Sequence, residues 1–262
     1  MSRPVIALLT DFGTADIYVG AMKAVVLSIA PDAALVDLTH GVPPQDVVSA
    51  ALALEGCYRL LPAGAVFVCV VDPGVGSERA LLAVEAGEWR FVAPDNGLLT
   101  PVLEPERLVR CVRIENPAYR RREVSATFHG RDILAPAAAH LALGLPVEAL
   151  GPPTTPVRLR APEPERQGSA LVGTVVATDR FGNLVTNVRA AQIAPGAKVR
   201  LPGNQLAPLR RTYADVTPGE LVAYVGSSER LEVAVRDGSA ADRLGIGRGA
   251  KVIVEEPEAS AR

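Results

Sequence analysis

The chain has 262 residues, of which 48% are apolar, and its formal net charge at pH 7 is only −2. This apolar content is enough for a sizeable hydrophobic core, and the length favours one large domain or two unequal ones. Because the charge is nearly balanced and no basic run is present, we exclude a nucleic-acid binder and expect a small molecule as the partner.

The first half of the chain alternates short apolar runs with longer helical patterns. Strands are predicted at residues 5–9, 34–38 and 66–71, and helices at residues 19–29 and 47–60. This β-then-α rhythm favours a largely parallel sheet covered by helices on both faces. No signal peptide is recognised before the first strand and no uncharged stretch has transmembrane length, so we expect a cytoplasmic protein without membrane contact.

A proline-rich segment then interrupts the pattern, because it can continue neither a helix nor a central strand. We expect an α/β N-terminal domain over residues 1–152, a linker over 153–168 and a small all-β barrel over 169–257. Strands of the barrel are predicted at residues 170–178, 221–225, 231–235 and 250–255. Residues 257–262 are expected to be disordered.

Three polar side chains lie in glycine-punctuated segments that hydrophobic packing does not explain. Asp72 and Arg79 follow the apolar run 66–71, and His129 lies within residues 128–132. An acid, a permanent cation and an imidazole are together the groups needed to hold and activate a small nucleophile such as water. Taken singly, Asp72 also fits a turn after a buried strand, and His129 also fits a structural role.

A fourth polar residue, Asp11, follows the first strand as Asp72 follows the third. Both therefore belong to the carboxyl edge of the expected parallel sheet, where ligands bind in such folds. A carboxylate at that edge can accept two hydrogen bonds from a vicinal diol such as ribose. The alternative is a helix cap, for which Asp16 is the better candidate. Asn96 belongs to a tight turn at residues 94–97 and could face the same site.

The second domain carries its own candidate binding residues in the segment 179–187. Phe181 could stack on a flat heterocycle, Asn183 could contact its edge, and Asp179 could pair with an ammonium group. A hairpin turn with its Phe in the barrel core is the alternative. Similarly, Ser227 lies in a loop that could bind a carboxylate or could be a simple turn.

Other site classes find no support in the sequence. The three histidines lack the i,i+4 spacing of a metal site and have no carboxylate at ligand spacing, so no metal is expected. Neither of the two glycine-rich phosphate-binding signatures, that of dinucleotide folds or that of the P-loop, is present.

Six motifs, in this order and spread over nearly the whole chain, resemble those of the S-adenosylmethionine hydroxide adenosyltransferase family. That family is related to fluorinating and chlorinating enzymes that act on the same substrate. The motifs are Thr10-Asp11-Phe12-Gly13, Val42-Pro43-Pro44-Gln45-Asp46, Val71-Asp72-Pro73-Gly74-Val75-Gly76, Pro94-Asp95-Asn96-Gly97, Phe128-His129-Gly130-Arg131-Asp132 and Asp179-Arg180-Phe181-Gly182-Asn183.

The resemblance implies a nucleophilic substitution at C5′ of S-adenosylmethionine by water or hydroxide, which yields adenosine and L-methionine. S-adenosylmethionine is then the substrate, and no cofactor is implied. Methionine leaves as a neutral thioether, so the reaction needs no general acid. The resemblance also implies a homotrimer, with each site between the N-terminal domain of one subunit and the C-terminal domain of its neighbour.

Residue roles follow from the same resemblance, position by position. The catalytic group comprises the residues that hold the attacking water, and the binding group comprises those that contact the substrate. The catalytic residues are Asp72, Arg79 and His129, and the binding residues are Asp11 and Asn96 in the first domain and Asp179, Phe181, Asn183 and Ser227 in the second. Within the binding group, the ribose is assigned to Asp11, adenine to Phe181 and Asn183, and the methionine ammonium and carboxylate to Asp179 and Ser227.

Two rival functions remain to be weighed. A halogenase would receive chloride or fluoride instead of water. In the halogenating relatives, however, the residues at the positions of Asp72 and His129 resemble tyrosines, and the Asp72 carboxylate of this chain would repel a halide. A non-catalytic module that only binds S-adenosylmethionine or adenosine is the second rival. The joint presence of Asp72, Arg79 and His129 weighs against it, because a pure binder does not need all three.

Overall fold

A computed structural model describes residues 3–160 and 162–256 of the chain. The chain divides into two compact units between Leu159 and Arg160, here called the first unit and the second unit. Residues 257–262, for which the sequence predicts disorder, lie outside the described residues.

The first unit combines one sheet with helices. Its strands are β1 Val5–Thr10, β2 Ala34–Thr39, β3 Val66–Val70, β4 Leu81–Ala86, β5 Trp89–Pro94 and β6 Leu108–Arg113. Its helices are α1 Tyr18–Ile29, α2 Val47–Glu55, α3 Thr100–Leu103 and α4 Ala135–Ala142, and a π-helical turn at Gly130–Leu134 runs directly into α4. The helix predicted over residues 47–60 is too long, because α2 ends before Gly56 and only a 3-10 turn, Tyr58–Leu60, follows.

The sheet of the first unit is mixed, with the order β2-β1-β3-β5-β4-β6. The expected parallel pairing holds for β2, β1, β3 and β5, whereas β4 pairs antiparallel with both β5 and β6. The reason is the two-residue connection between β4 and β5, where Gly87 has φ +58°. Such a short loop closes a hairpin and cannot cross over to a parallel neighbour.

Two hydrophobic cores lie on opposite faces of this sheet, which explains why β3 is apolar throughout. Val66, Val68 and Val70 belong to the core that includes residues of α1 and α4. Phe67 and Cys69 belong to the core that includes residues of α2 and α3. Since successive side chains of a strand point to opposite faces, a strand buried on both sides must be apolar at every position.

The proline-rich segment after the first unit's last helical turn is extended and anchored to that unit. The carbonyl oxygen of Pro152 accepts from the Arg113 amide at 2.9 Å, and the Val157 amide donates to Asp95 Oδ1 at 2.8 Å. The amide of Leu159 donates to Thr100 Oγ1 at 2.7 Å. The segment up to Leu159 is therefore fixed along its length by backbone hydrogen bonds.

The second unit is a barrel-like antiparallel sheet. Its elements are β7 Glu165–Gln167, β8 Ala170–Thr178, β9 Leu184–Arg189, β10 Lys198–Leu201, β11 Gln205–Ala207, β12 Leu221–Val225, β13 Arg230–Val235, β14 Lys251–Glu255 and a short helix, α5 Ala240–Leu244. The strand order is β11-β10-β14-β8-β9-β13-β12, with β7 added to β8. The chain just after β11 also bonds to β12, since Ala223 exchanges backbone hydrogen bonds with Pro208 at 3.0 Å and Arg210 at 2.8 Å. This contact joins the two ends of the strand order.

Candidate active site

The first unit forms a cavity at the carboxyl ends of β1 and β3, which are adjacent and parallel. Thr10 and Val70 are paired across the two strands, so Asp11 and the loop that begins at Val71 leave the sheet side by side. A cavity of about 350 Å³ opens there. Its lining residues are Asp11, Phe12, Tyr18, Pro44, Gln45, Val70, Asp72, Val75, Thr127, Phe128, His129 and Gly130. The expectation that Asp11 and Asp72 share one edge is thereby confirmed.

Asp72, Arg79 and His129 form one connected group beside this cavity. Arg79 Nε donates to Asp72 Oδ1 at 2.6 Å, and Arg79 Nη2 donates to Asp72 Oδ2. The same Nη2 contacts His129 Nδ1 at 2.8 Å. The side chains of Arg79 and Asp72 are only 10% and 7% exposed, so this two-pronged ion pair is largely shielded from water. Fifty residues of sequence separate Arg79 from His129, and the fold brings them into contact.

The contact with Arg79 defines the protonation state of His129. A guanidinium has donors and no acceptor, so His129 Nδ1 must hold a lone pair, and the proton of the neutral ring is on Nε2. Burial lowers the pKa of His129, and the adjacent Arg79 cation lowers it further, although the carboxylates of Asp72 and Asp132 act in the opposite direction. In the described residues Nε2 has no hydrogen-bond partner and is not sealed inside the protein. The ring therefore offers an N–H group to whatever occupies the cavity.

The two loops that carry this group are shaped by glycines and by a buried acid. Gly76 has φ +81°, and a Cβ there would lie 3.0 Å from the carbonyl oxygen of Ala126 in the facing loop. The π-helical turn after His129 contains Asp132, which is fully buried. Asp132 accepts hydrogen bonds from Arg131 at 2.6 and 2.8 Å and from the Ser125 amide at 2.9 Å. These bonds explain the Arg-Asp pair of the motif, because they fix the loop that presents His129.

Asp11 is held by a neighbouring loop. Its Oδ2 accepts from the backbone amide of Gln45 at 2.7 Å, and Gln45 has φ +66°, a left-handed backbone conformation. No donor in the described residues contacts its Oδ1. The alternative of a helix cap finds no support at either acid, since α1 begins after Ile17 without a side-chain cap.

His40 supports the same loop. Its Nδ1 lies 2.9 Å from Thr10 Oγ1, and its carbonyl oxygen accepts from the Gly13 amide at 2.8 Å. It is 7% exposed, and its Nε2 lies 3.0 Å from Asp37 Oδ1. His40 therefore holds the chain on both sides of Asp11, Thr10 through its imidazole and Gly13 through its backbone carbonyl.

Asn96 uses its polar atoms within the fold. Its Nδ2 donates to the carbonyl oxygen of Val71 at 2.8 Å, and its Oδ1 accepts from the Leu98 amide at 3.2 Å. It does not line the described cavity. Its place in the structure is behind the loop that starts at Val71, where it fixes the backbone that carries Asp72.

Three aromatic rings form one wall of the cavity. The ring centroids of Phe12, Tyr18 and Phe128 lie 5.2 to 5.9 Å apart in tilted or edge-to-face pairs. Sequence reasoning did not assign them a role. The signal that could have found them is their position, since Phe12 directly follows Asp11 and Phe128 directly precedes His129.

The candidates of the second unit lie at the turn between β8 and β9. Phe181 is 77% exposed, so the alternative of a Phe in the barrel core is wrong. Asn183 is only 4% exposed, and its side chain donates to Asp179 Oδ2 at 2.7 Å. Phe181 and Asn183 line a cavity of about 670 Å³. An exposed aromatic ring beside a buried amide is suited to a flat heterocycle.

Ser227 lies apart from that cavity, in the exposed turn between β12 and β13. The turn passes so close to Glu232 that a Cβ built on Gly226 would lie 2.0 Å from Glu232 Oε1. Burial raises the pKa of Glu232, and the charge of Asp179 raises it further, although a hydrogen bond from Tyr224 lowers it. Sequence reasoning missed Glu232, which alternates with apolar residues in β13 and gave no separate signal.

Two other features, a metal site and a membrane-spanning helix, are absent from the described residues. No group of three or more His, Cys, Asp or Glu side chains is arranged to hold a metal ion there. Nor does any helix of that part combine the length and apolar character that a bilayer crossing requires.

Comparison with known protein families identifies both units. Residues 6–151 match the model of the SAM hydroxide adenosyltransferase N-terminal domain, and residues 173–253 match that of the C-terminal domain. The chain belongs to the SAM hydroxide adenosyltransferase family. The resemblance seen in the six motifs is thus confirmed, and so is the division into an N-terminal and a C-terminal domain type.

Similar proteins cover the chain almost from end to end. The (R)-S-adenosyl-L-methionine hydrolase of Thermus thermophilus is 46% identical over an alignment of 259 positions that covers 95% of this chain and 98% of that protein. The (R)-S-adenosyl-L-methionine hydrolase of Salinispora tropica is 40% identical, with 96% and 97% covered. The fluorinase of Nocardia brasiliensis is 30% identical, with 97% of each chain covered.

Solved structures show the same fold. A conserved protein of Thermotoga maritima matches with a TM-score of 0.89 at 35% identity, over 96% of this chain and all of that chain. A conserved hypothetical protein of Thermus thermophilus matches with a TM-score of 0.80 at 44% identity, over 97% of this chain and all of that one.

Proposed function

We propose that this SAM hydroxide adenosyltransferase family member hydrolyses S-adenosyl-L-methionine to adenosine and L-methionine. The new bond joins the water oxygen to C5′ of the ribose, and the bond from C5′ to the sulfonium sulfur breaks. Sulfur keeps the electron pair of that bond and becomes a neutral thioether, and the water loses one proton. The observation that carries the proposal is the Asp72–Arg79–His129 group, of which Asp72 and His129 line the cavity, and the names of the relatives at 40–46% identity support it.

The water is held from two sides in this proposal. His129 Nε2–H donates to one lone pair of the oxygen, and Asp72 accepts one of its protons. The second lone pair of a tetrahedral oxygen is then left for C5′, so the two contacts set the line of attack. Both oxygens of Asp72 accept from Arg79, but each carboxylate oxygen has a second acceptor position.

Asp72, and not His129, is the proton acceptor in this scheme. His129 Nδ1 is occupied by the Arg79 donor and Nε2 already bears a proton, so the ring has no free base position. Arg79, as a permanent cation, favours negative charge that develops on the attacking oxygen.

The binding residues complete the proposal. Asp11 binds the ribose hydroxyls with the oxygen that faces away from Gln45, and Phe181 stacks on adenine while Asn183 contacts its edge. Asp179 and Ser227 hold the methionine ammonium and carboxylate groups. We assign Asn96 to the support of the Asp72 loop, because both ends of its amide are bonded to the backbone.

The proposal also includes assembly and location. Asp11, Asp72, Arg79 and His129 belong to the first unit, whereas Asp179, Phe181, Asn183 and Ser227 belong to the second. We propose a cytoplasmic homotrimer in which the first unit of one copy and the second unit of its neighbour form each site, with S-adenosylmethionine as the only small molecule required.

A product analysis tests the reaction. The purified protein is incubated with S-adenosylmethionine alone, with chloride and with fluoride, and the nucleosides are separated. Adenosine and methionine in equal amounts, at a rate independent of halide, are expected. A 5′-halogenated adenosine would favour the activity named for the fluorinase relative, and the absence of any nucleoside product would leave only a binding module.

A further inference from the structure

The turn between β8 and β9 is built around the side chain of Asp179. Its Oδ1 accepts from the backbone amides of Phe181 and Asn183, both at 2.9 Å. Gly182, within the turn, has φ +82°, and its carbonyl oxygen accepts from the Ala241 amide at 3.0 Å. The backbone of this turn is therefore fixed on both sides.

The remaining oxygen of Asp179 decides how the Asn183 amide is turned. Asp179 Oδ2 accepts from Asn183 Nδ2 at 2.7 Å. A carboxylate accepts hydrogen bonds and cannot donate them, so the nitrogen of the amide must face Asp179 and its oxygen must face away. The opposite orientation would bring two acceptor oxygens together.

The same nitrogen donates its second hydrogen to a chain of hydroxyl groups. Asn183 Nδ2 lies 3.3 Å from the hydroxyl of Tyr213, which contacts the hydroxyl of Tyr224, and Tyr224 donates to Glu232 Oε2 at 2.6 Å. Burial raises the pKa of Tyr224, which keeps its hydroxyl a donor. With a carboxylate at each end, all bonds of the chain run from Asn183 toward Glu232.

The oxygen of the Asn183 amide is left without a partner. Asn183 is 4% exposed, yet in the described residues no donor reaches its Oδ1, and this atom is not sealed inside the barrel. The side chain lines the 670 Å³ cavity together with the exposed ring of Phe181. The Asn183 side chain thus offers the cavity an acceptor, and no donor, beside the aromatic face of Phe181.

We propose that Asp179 is a positioning residue that turns the Asn183 carbonyl toward the base, so that the site selects 6-aminopurines over 6-oxopurines. The inference rests on the proposed binding of adenine at Phe181 and Asn183. Adenine presents the exocyclic N6 donor, which matches the Oδ1 acceptor. Hypoxanthine presents an acceptor oxygen at the same position, so two acceptors would face each other, and a mismatch of this kind costs about tenfold to a hundredfold in affinity.

The substitution Asp179→Asn tests this assignment with a minimal change of shape. The introduced amide retains one oxygen, which can still accept from the backbone of the turn, and places a donor where Asp179 Oδ2 accepted. Asn183 must then turn its oxygen toward the introduced donor and its nitrogen toward the cavity. Binding of adenosine and inosine is measured by calorimetry, because neither nucleoside carries the methionine ammonium group that is also assigned to Asp179.

The wild-type protein is expected to bind adenosine at least about tenfold more tightly than inosine. Asp179→Asn is expected to abolish or reverse this preference. The matched control is Tyr213→Phe, which removes the longer contact of the Asn183 nitrogen and the contact with the Tyr224 hydroxyl but leaves the bond to Asp179 intact, so most of the preference is expected to remain. If the role of Asp179 were purely structural, Asp179→Asn would weaken the binding of both nucleosides equally and leave the ratio of their affinities unchanged. That result would overturn the inference.

Two further results separate this inference from the proposed function. A wild-type protein that releases adenosine from S-adenosylmethionine but binds the two nucleosides equally, or binds neither, would overturn the inference alone. One that releases no adenosine and binds neither nucleoside would overturn both. If Asp179→Asn does not fold, NMR of the wild-type protein replaces it, with the Asn183 amide signal identified by its loss in Asn183→Ala. Slow exchange of both Nδ2 protons with solvent supports the orientation, and rapid exchange of both contradicts it.

Discussion

At the scale of single residues, the pairing of His129 with Arg79 changes what the imidazole can do. A histidine beside an acid is the usual arrangement of a general base, in which the acid accepts from one ring nitrogen and the other nitrogen takes a proton. Here the neighbour at Nδ1 is a donor, at 2.8 Å. The ring is therefore polarised in the opposite sense and presents a proton at Nε2, which in the proposed mechanism orients the water.

Two substitutions of His129 distinguish orientation from proton removal. In His129→Gln an amide nitrogen can occupy the region of Nε2 and donate, but it cannot take up a proton, so we expect kcat within about tenfold of wild type. In His129→Asn the shorter amide reaches only the region of Nδ1, and we expect kcat to fall about a hundredfold, since a placed donor is lost. Single-turnover rates with saturating S-adenosylmethionine measure the difference. Equal and severe losses in both variants would instead identify His129 as the base.

The pH dependence of turnover follows from the same ring. The pKa of His129 is lowered by burial and by Arg79, so the neutral form persists to lower pH than for an exposed histidine, whose pKa is about 6.5. Protonation would place a hydrogen on Nδ1 against the Arg79 donor. We therefore expect kcat to be constant above neutral pH and to fall only at a pH below about 6.5. This acid limb should be missing in His129→Gln, and its persistence there would assign it to another group.

Sequence reasoning was most successful for residues that interrupt an apolar pattern. Asp11 and Asp72 are recognisable because they directly follow buried strands, and His129 because it lies between glycine and aromatic residues. Tyr213, Tyr224 and Glu232 gave no such signal, because their significance lies in hydrogen bonds between segments that are distant in sequence or on neighbouring strands. A contact of this kind exists only after the barrel has formed.

At the scale of secondary-structure elements, the strands with long apolar runs were predictable and the short ones were not. The strand predicted at residues 170–178 coincides with β8, and that at 221–225 with β12. By contrast β10 and β11, of four and three residues, were not predicted, because such short strands have no measurable periodicity and are defined by their partners. The same limit explains the mixed sheet, since the direction of β4 depends on a two-residue loop and not on the strand's own composition.

Substitution of Gly182 should disturb the turn that presents Phe181 and Asn183 more than substitution of an ordinary turn glycine disturbs its own turn. Gly182 has φ +82°, and a Cβ on it would lie 2.1 Å from Ser239 Oγ, so Gly182→Ala meets both an unfavourable backbone conformation and a steric clash. We expect it to lower the free energy of unfolding by about 3 kcal/mol or more and to weaken adenosine binding. Urea unfolding and calorimetry measure these two effects.

Gly203→Ala is the matched control in the same unit. Gly203 has φ +72°, but no atom lies within 4 Å of a Cβ built on it. Gly203→Ala therefore meets only an unfavourable backbone conformation. We expect it to lower the free energy of unfolding by about 1 kcal/mol and to leave the adenosine affinity unchanged. Similar losses in the two variants would mean that the contact with Ser239 does not constrain the turn.

At the scale of the whole molecule, the candidate residues separate into two chemically different sets. The first unit carries Asp11 and the Asp72–Arg79–His129 group, which we propose holds the attacking water. The second unit carries an aromatic ring and an amide that are suited to a nucleobase. The sequence allowed this division to be predicted, because the proline-rich segment separates the two sets of motifs. It does not encode which copies of the units meet, since that depends on the surfaces of the folded subunits. Only the family resemblance led to the expectation of a trimer.

Mixed trimers test whether the two sets come from different subunits. Asp72→Ala and Asn183→Ala are each expected to be nearly inactive as pure proteins. The first lacks the residue assigned to the attacking water, and the second lacks the amide assigned to adenine. When both are co-expressed with different affinity tags and purified through both, a site is intact if its first unit comes from Asn183→Ala and its second unit from Asp72→Ala. Every mixed cyclic trimer contains one such site among its three, so the activity per trimer should return to about a third of the wild-type value. If each subunit formed its site alone, every site would carry one of the substitutions, and the mixture would be as inactive as its components.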